Sequence, residues 1–174
     1  MKGDGPADSG RPELAAHPSS ILVLGLGNPI LGDDGVGWRV AEEVRSALSA
    51  HSQAVEIDCA SLGGLSLMER MLGYERVILI DAIETGNSPV GHVSIFPLGD
   101  LSNPTAGHTG SAHDTSLSTA LRTAEAMGQS TPRQIDVVAI EVTQSFDFSE
   151  ALSPNVETAV SIATRKVMEA LGRR

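Results

Sequence analysis

Residues 21–48 read ILVLGLGNPILGDDGVGWRVAEEVRSAL, and the order of patterns inside this stretch decides the fold. ILVL is an apolar run with no polar alternation, which suits a strand covered on both faces rather than one facing water. From Val36 onward VGWRVAEEVRSAL repeats apolar residues at helical spacing, as an amphipathic helix does. Between strand and helix lies a glycine-rich loop with two adjacent aspartates, Asp33 and Asp34.

The same alternation continues outward. AVEID (54–58), RVILIDA (76–82), HVSIFPL (92–98) and QIDVVAIEV (134–142) read as strands. GLSLMERML (64–72), DTSLSTALRTAEAM (114–127) and SPNVETAVSIATRKVMEAL (153–171) read as helices. VILI repeats the two-sided apolarity of ILVL, so helices should cover both faces of the sheet. The predicted fold is α/β, a three-layer α/β/α sandwich with a mixed, mostly parallel sheet of about five strands. Only IETGNSPVG separates RVILIDA from HVSIFPL, too little for a helical crossover, so these two are expected to form an antiparallel hairpin.

The chain has 174 residues, 41% of them hydrophobic, which suits one core and one domain over 20–174. Residues 1–19 are rich in Gly, Pro, Ser and Asp without apolar periodicity and are expected to be a flexible leader. Twenty-two acidic against twelve basic side chains give a formal charge of −10, which repels phosphate backbones and argues against nucleic acid as a partner. A single cysteine, Cys59, excludes an internal disulfide and a cysteine-built metal cluster. No apolar run approaches the roughly 20 residues that span a bilayer, and the N-terminus lacks the apolar stretch of a signal peptide. A cytoplasmic monomer without membrane contacts is the expectation.

In an open sheet with helices on both sides, ligands bind beyond the carboxyl ends of the parallel strands. There the first strand runs into Asp33 and Asp34, the second ends at Asp58, the third at Asp81, and the Gly/Ser/Thr-rich segment SNPTAGHTGSAH carries His108 and His113. A phosphate cradle is not among the readings. The third glycine of a dinucleotide fingerprint is replaced by Ile30, the P-loop ending Gly-Lys-Ser/Thr is absent, and two acids before a helix repel anions. Structural alternatives stand beside the functional ones: Asp33 as cap of the first helix, Asp81 in an Asx turn, His113 as a solvated loop histidine. Gly35 and Gly37 suit a first helical turn poorly unless something must approach the backbone closely. Together Asp34, Asp81 and His113 form a mixed oxygen and nitrogen set fit for a borderline divalent metal such as Ni²⁺ or Zn²⁺, with Asp58 as an outer support. No serine or cysteine nucleophile set is present: Cys59 has no evident activating histidine and no GxSxG elbow occurs.

LGLGNPILGDDGVG, LIDAIETG, HDTSLSTAL and LSPNVETAV, in this order from about Ile21 to Leu171, resemble the nickel-iron hydrogenase maturation proteases. The resemblance implies a phosphorylase/hydrolase-like fold and an endopeptidase that removes the C-terminal extension from the nickel-loaded precursor of the hydrogenase large subunit, activating that enzyme. It implies that Asp34, Asp81 and His113 are both the catalytic and the metal-contacting residues, supported by Asp58, Asp33 and Asn28. His108 fits the pattern less well, because the family histidine opens a helix, and DCAS departs from the glycine-rich continuation usual after Asp58. The nickel would be carried by the substrate, so no resident metal is required. Asp34 would face the nickel, with Gly35 and Gly37 leaving room for the substrate's metal site. The attacking water would be activated by the nickel or by an aspartate. Two other readings compete. GLGNP also begins peptidyl-tRNA hydrolases, but those place a catalytic histidine in the same loop and a basic surface against RNA, whereas this chain has neither. A non-enzymatic nickel metallochaperone would use the same ligands.

Overall fold

The computed structural model describes residues 20–48, 54–102, 112–143 and 148–172, without the side chains of 101–102 and 112–116. In chain order these residues form β1 (Ile21–Leu26), α1 (Val36–Ala47), β2 (Val55–Ala60), α2 (Gly64–Met71), β3 (Arg76–Ile83), β4 (Val93–Pro97), α3 (Ala112–Ala126), β5 (Gln134–Glu141) and α4 (Pro154–Gly172). The sheet order is β2-β1-β3-β5-β4, parallel throughout except for β4. The expected α/β sandwich and its mixed five-stranded sheet are therefore observed.

The apolar runs work as two faces of one sheet. In β1, Val23 points toward α1 and α4, while Leu22 and Leu24 point toward α2 and α3. In β3, Ile78 and Ile80 join the first core and Val77 and Leu79 the second. This is the period-two alternation of strand side chains with both faces buried. The chain runs from β1 to β2 on one side and then crosses to β3 on the other, so α1 and α2 lie on opposite faces, as right-handed crossovers require. The strand order thus reverses between β1 and β3, and the crevice beyond their carboxyl ends is the place a ligand is expected. At the opposite end, Arg76 bonds Asp136 at 2.8 Å and the Ala170 carbonyl at 2.9 Å, tying β3, β5 and the end of α4 together.

The hairpin expectation is corrected. β4 is antiparallel, but its partner is β5, which lies between β3 and β4. The connection from β3 instead passes over the end of β5, where Glu141 holds it. This carboxylate is 3% exposed and accepts hydrogen bonds from Thr85 N, Thr85 Oγ1 and Gly86 N, each at 2.8 Å. The backbone follows suit, with Gly91 N donating to Glu141 O and Glu141 N to His92 O. Among the described residues no helix is long and apolar enough to cross a membrane.

Candidate active site

The loop after β1 turns at Gly27, whose φ of 116° is open to glycine and costly for other residues. Asn28 then folds back: its side-chain oxygen accepts from Ile30 N at 3.2 Å, and its backbone N–H donates to Asp34 Oδ2 at 2.6 Å. Asp33 and Asp34 sit in a short 3-10 turn, Gly32–Gly35. Their carboxylates serve different anchors. Asp34 closes the loop on itself, and Asp33 Oδ1 accepts from Ser153 N at 2.6 Å, just before α4. Asp33 is therefore not the cap of α1, whose N-cap position is Gly35 without any side-chain cap bond. The physical reason is the intervening 3-10 turn, which displaces both aspartates upstream of the helix start.

Gly35 and Gly37 also have a role other than the expected one. A Cβ on Gly35 would press on the Pro29 backbone, and one on Gly37 would run into the carbonyls of Leu26 and Ile80. They let the loop and α1 lie directly on the strands, and the room they make is used internally.

Beyond the ends of β1 and β3 lies a cavity of about 280 Å³. Its polar side consists of Asn28, Asp34, Ser61 and Asp81, and its apolar floor includes Leu26, Leu67, Leu79, Leu117 and Val137. Ser61 donates from Oγ to the Gly27 carbonyl at 2.7 Å, which joins the loop after β2 to the loop after β1. Asp81 is half-buried inside β3, opposite Ala139 of β5, and not beyond the strand end. Two carboxylates facing one water-accessible concavity, with hydrogen-bond donors nearby, can accept protons and bind cations. Among the described residues no group of three or more His, Cys, Asp and Glu is arranged to hold a metal ion by itself.

A family profile described as hydrogenase maturation protease matches residues 38–170. The chain belongs to the hydrogenase maturation protease family. It is an enzyme of the peptidase class, and Asp81 and position 113 lie inside the matched span while Asp34 precedes it by four residues. Among curated relatives of this maturation protease, the hydrogenase 2 maturation protease of Escherichia coli is 30% identical over 154 residues, spanning 87% of this chain and 90% of the relative. The hydrogenase expression/formation protein HupD of Bradyrhizobium diazoefficiens is 24% identical over 147 residues, or 84% of this chain and 75% of the relative. The hydrogenase maturating endopeptidase HybD of Escherichia coli superposes with a TM-score of 0.69 at 27% identity, covering 87% of this chain and 91% of that one.

The maturation protease brings Asn28, Asp34 and Asp81 to one cavity. His113 is the second residue of α3, one helical turn before Leu117 of the cavity floor, and its side chain lies outside the described residues. His108 also lies outside them. Asp58 does not reach the cavity. It stands on β2, at the sheet edge, where Oδ2 accepts from Arg70 Nε at 2.9 Å and Oδ1 from Cys59 N at 2.8 Å. Arg70 also bonds Glu56 and, at 2.9 Å, the Tyr74 hydroxyl. Burial disfavours the Arg70 cation, but these three partners outweigh it and hold its pKa above the ordinary value. Burial raises the Tyr74 phenol despite Arg70, and raises the Cys59 thiol despite the nearby Arg45. A thiol kept protonated on an edge strand is no nucleophile, in line with the sequence. Ser61 and Glu141 were not singled out in the sequence. The first sits in a short glycine-flanked loop, and the second is one acid among many, recognisable only by following the apolar run VVAI.

Proposed function

We propose that this protease removes the C-terminal extension from the nickel-loaded precursor of a [NiFe] hydrogenase large subunit, in the cytoplasm and as a monomer. The observation that supports this most is the convergence of Asp34 and Asp81 on one cavity at the reversal of strand order. In this reading the ion is part of the substrate, and Asp34, Asp81 and His113 meet it with two oxygens and one nitrogen. Such a set engages a borderline ion without competing for its soft thiolate ligands. Asn28 N–H fixes the Asp34 carboxylate, so that the second oxygen is presented rather than mobile. An aspartate here can take the proton of the attacking water, while the substrate's ion polarises the scissile carbonyl.

The test is to mix the purified protein with nickel-loaded and nickel-free precursor and weigh the precursor before and after. Loss of the C-terminal tail is expected only with nickel, and is expected to disappear with Asp34→Ala, Asp81→Ala or His113→Ala. Nickel delivery with the tail retained would point to a metallochaperone, and an unchanged nickel-loaded precursor rejects the protease role for that substrate.

A further inference from the structure

The loop after β1 has a second side. Where Asn28 and Asp34 face the cavity, Pro29 and Gly35 face a separate groove of about 270 Å³, lined by Ile30, Trp38 and Leu152 together with Arg39, Glu42 and Glu150. Backbone bonds tie this loop to the segment that precedes α4. Gly32 N donates to Ser149 O at 2.6 Å and Ser149 N to Ile30 O at 3.0 Å. The groove's lining includes the exposed apolar side chain of Ile30 (46%). Among the described residues, the buried Trp38 indole N–H has no acceptor. A buried donor of this kind costs roughly 1–3 kcal/mol.

We propose that this groove holds the body of the protein substrate during cleavage, apart from the segment being cut. The inference rests on the protease reading above. Three observations commit it to that occupant. A cavity of 280 Å³ accommodates a short stretch of peptide and cannot by itself retain a folded protein. A groove that combines Ile30, Trp38 and Leu152 with Arg39 has the composition of an interface anchor, where Trp and Arg are enriched. Neighbouring residues of one loop line both, Asn28 the cavity and Pro29 and Ile30 the groove, so a substrate lying across Ile30 reaches both. The occupant is a segment with an apolar side chain and an adjacent backbone carbonyl. A small displacement of the loop on docking brings that carbonyl to the indole N–H.

Trp38 is the only tryptophan, so the ¹⁵N-labelled chain gives one indole resonance. With Asp81→Asn present to prevent turnover, unlabelled precursor is expected to move this resonance downfield in a saturable manner. In the cutting enzyme, Ile30→Asp is expected to raise KM for the precursor by about tenfold or more and to change kcat by less than about twofold. A resonance unmoved at saturation, or an unchanged KM in a chain that folds and cuts, overturns the groove and leaves the protease reading intact. A shift produced by raising the concentration of the labelled chain alone identifies a second copy as the occupant and also overturns it. Failure of the unmodified chain to cut removes the protease reading first.

Discussion

At the residue scale, the neighbouring acids Asp33 and Asp34 have opposite assignments. Both accept a backbone N–H at 2.6 Å, but Asp34 does so at the cavity wall and Asp33 at the start of α4. The amide of Asp34→Asn retains an oxygen for Asn28 N–H and loses the charge. Its thermal midpoint is therefore expected to stay within about 3 °C of the unmodified chain, while precursor cleavage falls by about a hundredfold or more. Asp33→Ala is expected to show the reverse, costing about 1–2 kcal/mol through the unpaired N–H and leaving cleavage per folded molecule close to normal. Calorimetry and the mass assay together separate the two. Tyr74 supplies an independent check, because it is the only tyrosine and its titration is read directly from the tyrosinate absorbance. Burial favours the neutral phenol in the folded state, so its midpoint should lie above 10.0 and return toward that value in denaturant. Sign follows from linkage: the contribution of this group to stability is complete below pH 10 and is lost as pH rises through the folded pKa. A midpoint at or below the denatured value would refute the burial assigned to Tyr74.

At the scale of elements, the five strands and four helices of the described residues were legible because each carries its own period: two-sided apolar runs in β1 and β3, helical spacing from Val36, and turn residues between. That Asp34 and Asp81 line one cavity was legible as well, since the carboxyl-terminal parts of the strands in such a sheet lead to one crevice, although Asp81 lies inside β3 rather than after it. The partner of β4 was not. Strand pairing is settled by contacts distant in sequence, and β5 reaches its slot beside β3 only after α3 has formed the crossover. What holds the long β3–β4 connection is the Glu141 carboxylate, and one buried acid in a strand gives no sign in the sequence of which backbone N–H groups it will meet. The same reasoning explains Asp58: its position after a strand suggested the site, but the sheet edge placed Arg70 beside it. Glu141→Ala strands Thr85 N, Thr85 Oγ1 and Gly86 N and is expected to destabilise the fold by about 2–4 kcal/mol. Glu141→Gln keeps the shape and one acceptor and is expected to lose less than half of that. Equal losses in urea unfolding would show that the carboxylate is not the anchor.

At the scale of the molecule, one sheet is shared by two cores. Ile78 and Leu79 are consecutive in β3, yet Ile78 belongs to the α1/α4 side and Leu79 to the α2/α3 side. Neither helix layer can leave without exposing strands that the other layer still covers, so the two sides should unfold together. A single thermal transition is expected, with calorimetric and van't Hoff enthalpies equal. The consecutive pair sharpens the point. Ile78→Ala opens a void in a closed core, and its cost is expected to fall within about 2–5 kcal/mol. Leu79 borders the cavity, so the space left by Leu79→Ala joins solvent-accessible volume and the cost is expected at the lower end of that range. Cleavage per folded molecule should change with Leu79→Ala, which reshapes the floor under Asp34 and Asp81, and not with Ile78→Ala on the opposite face. Two resolved transitions, or equal effects of the two substitutions on cleavage, would mean that the sheet does not couple the two cores and that the site is not confined to one of them.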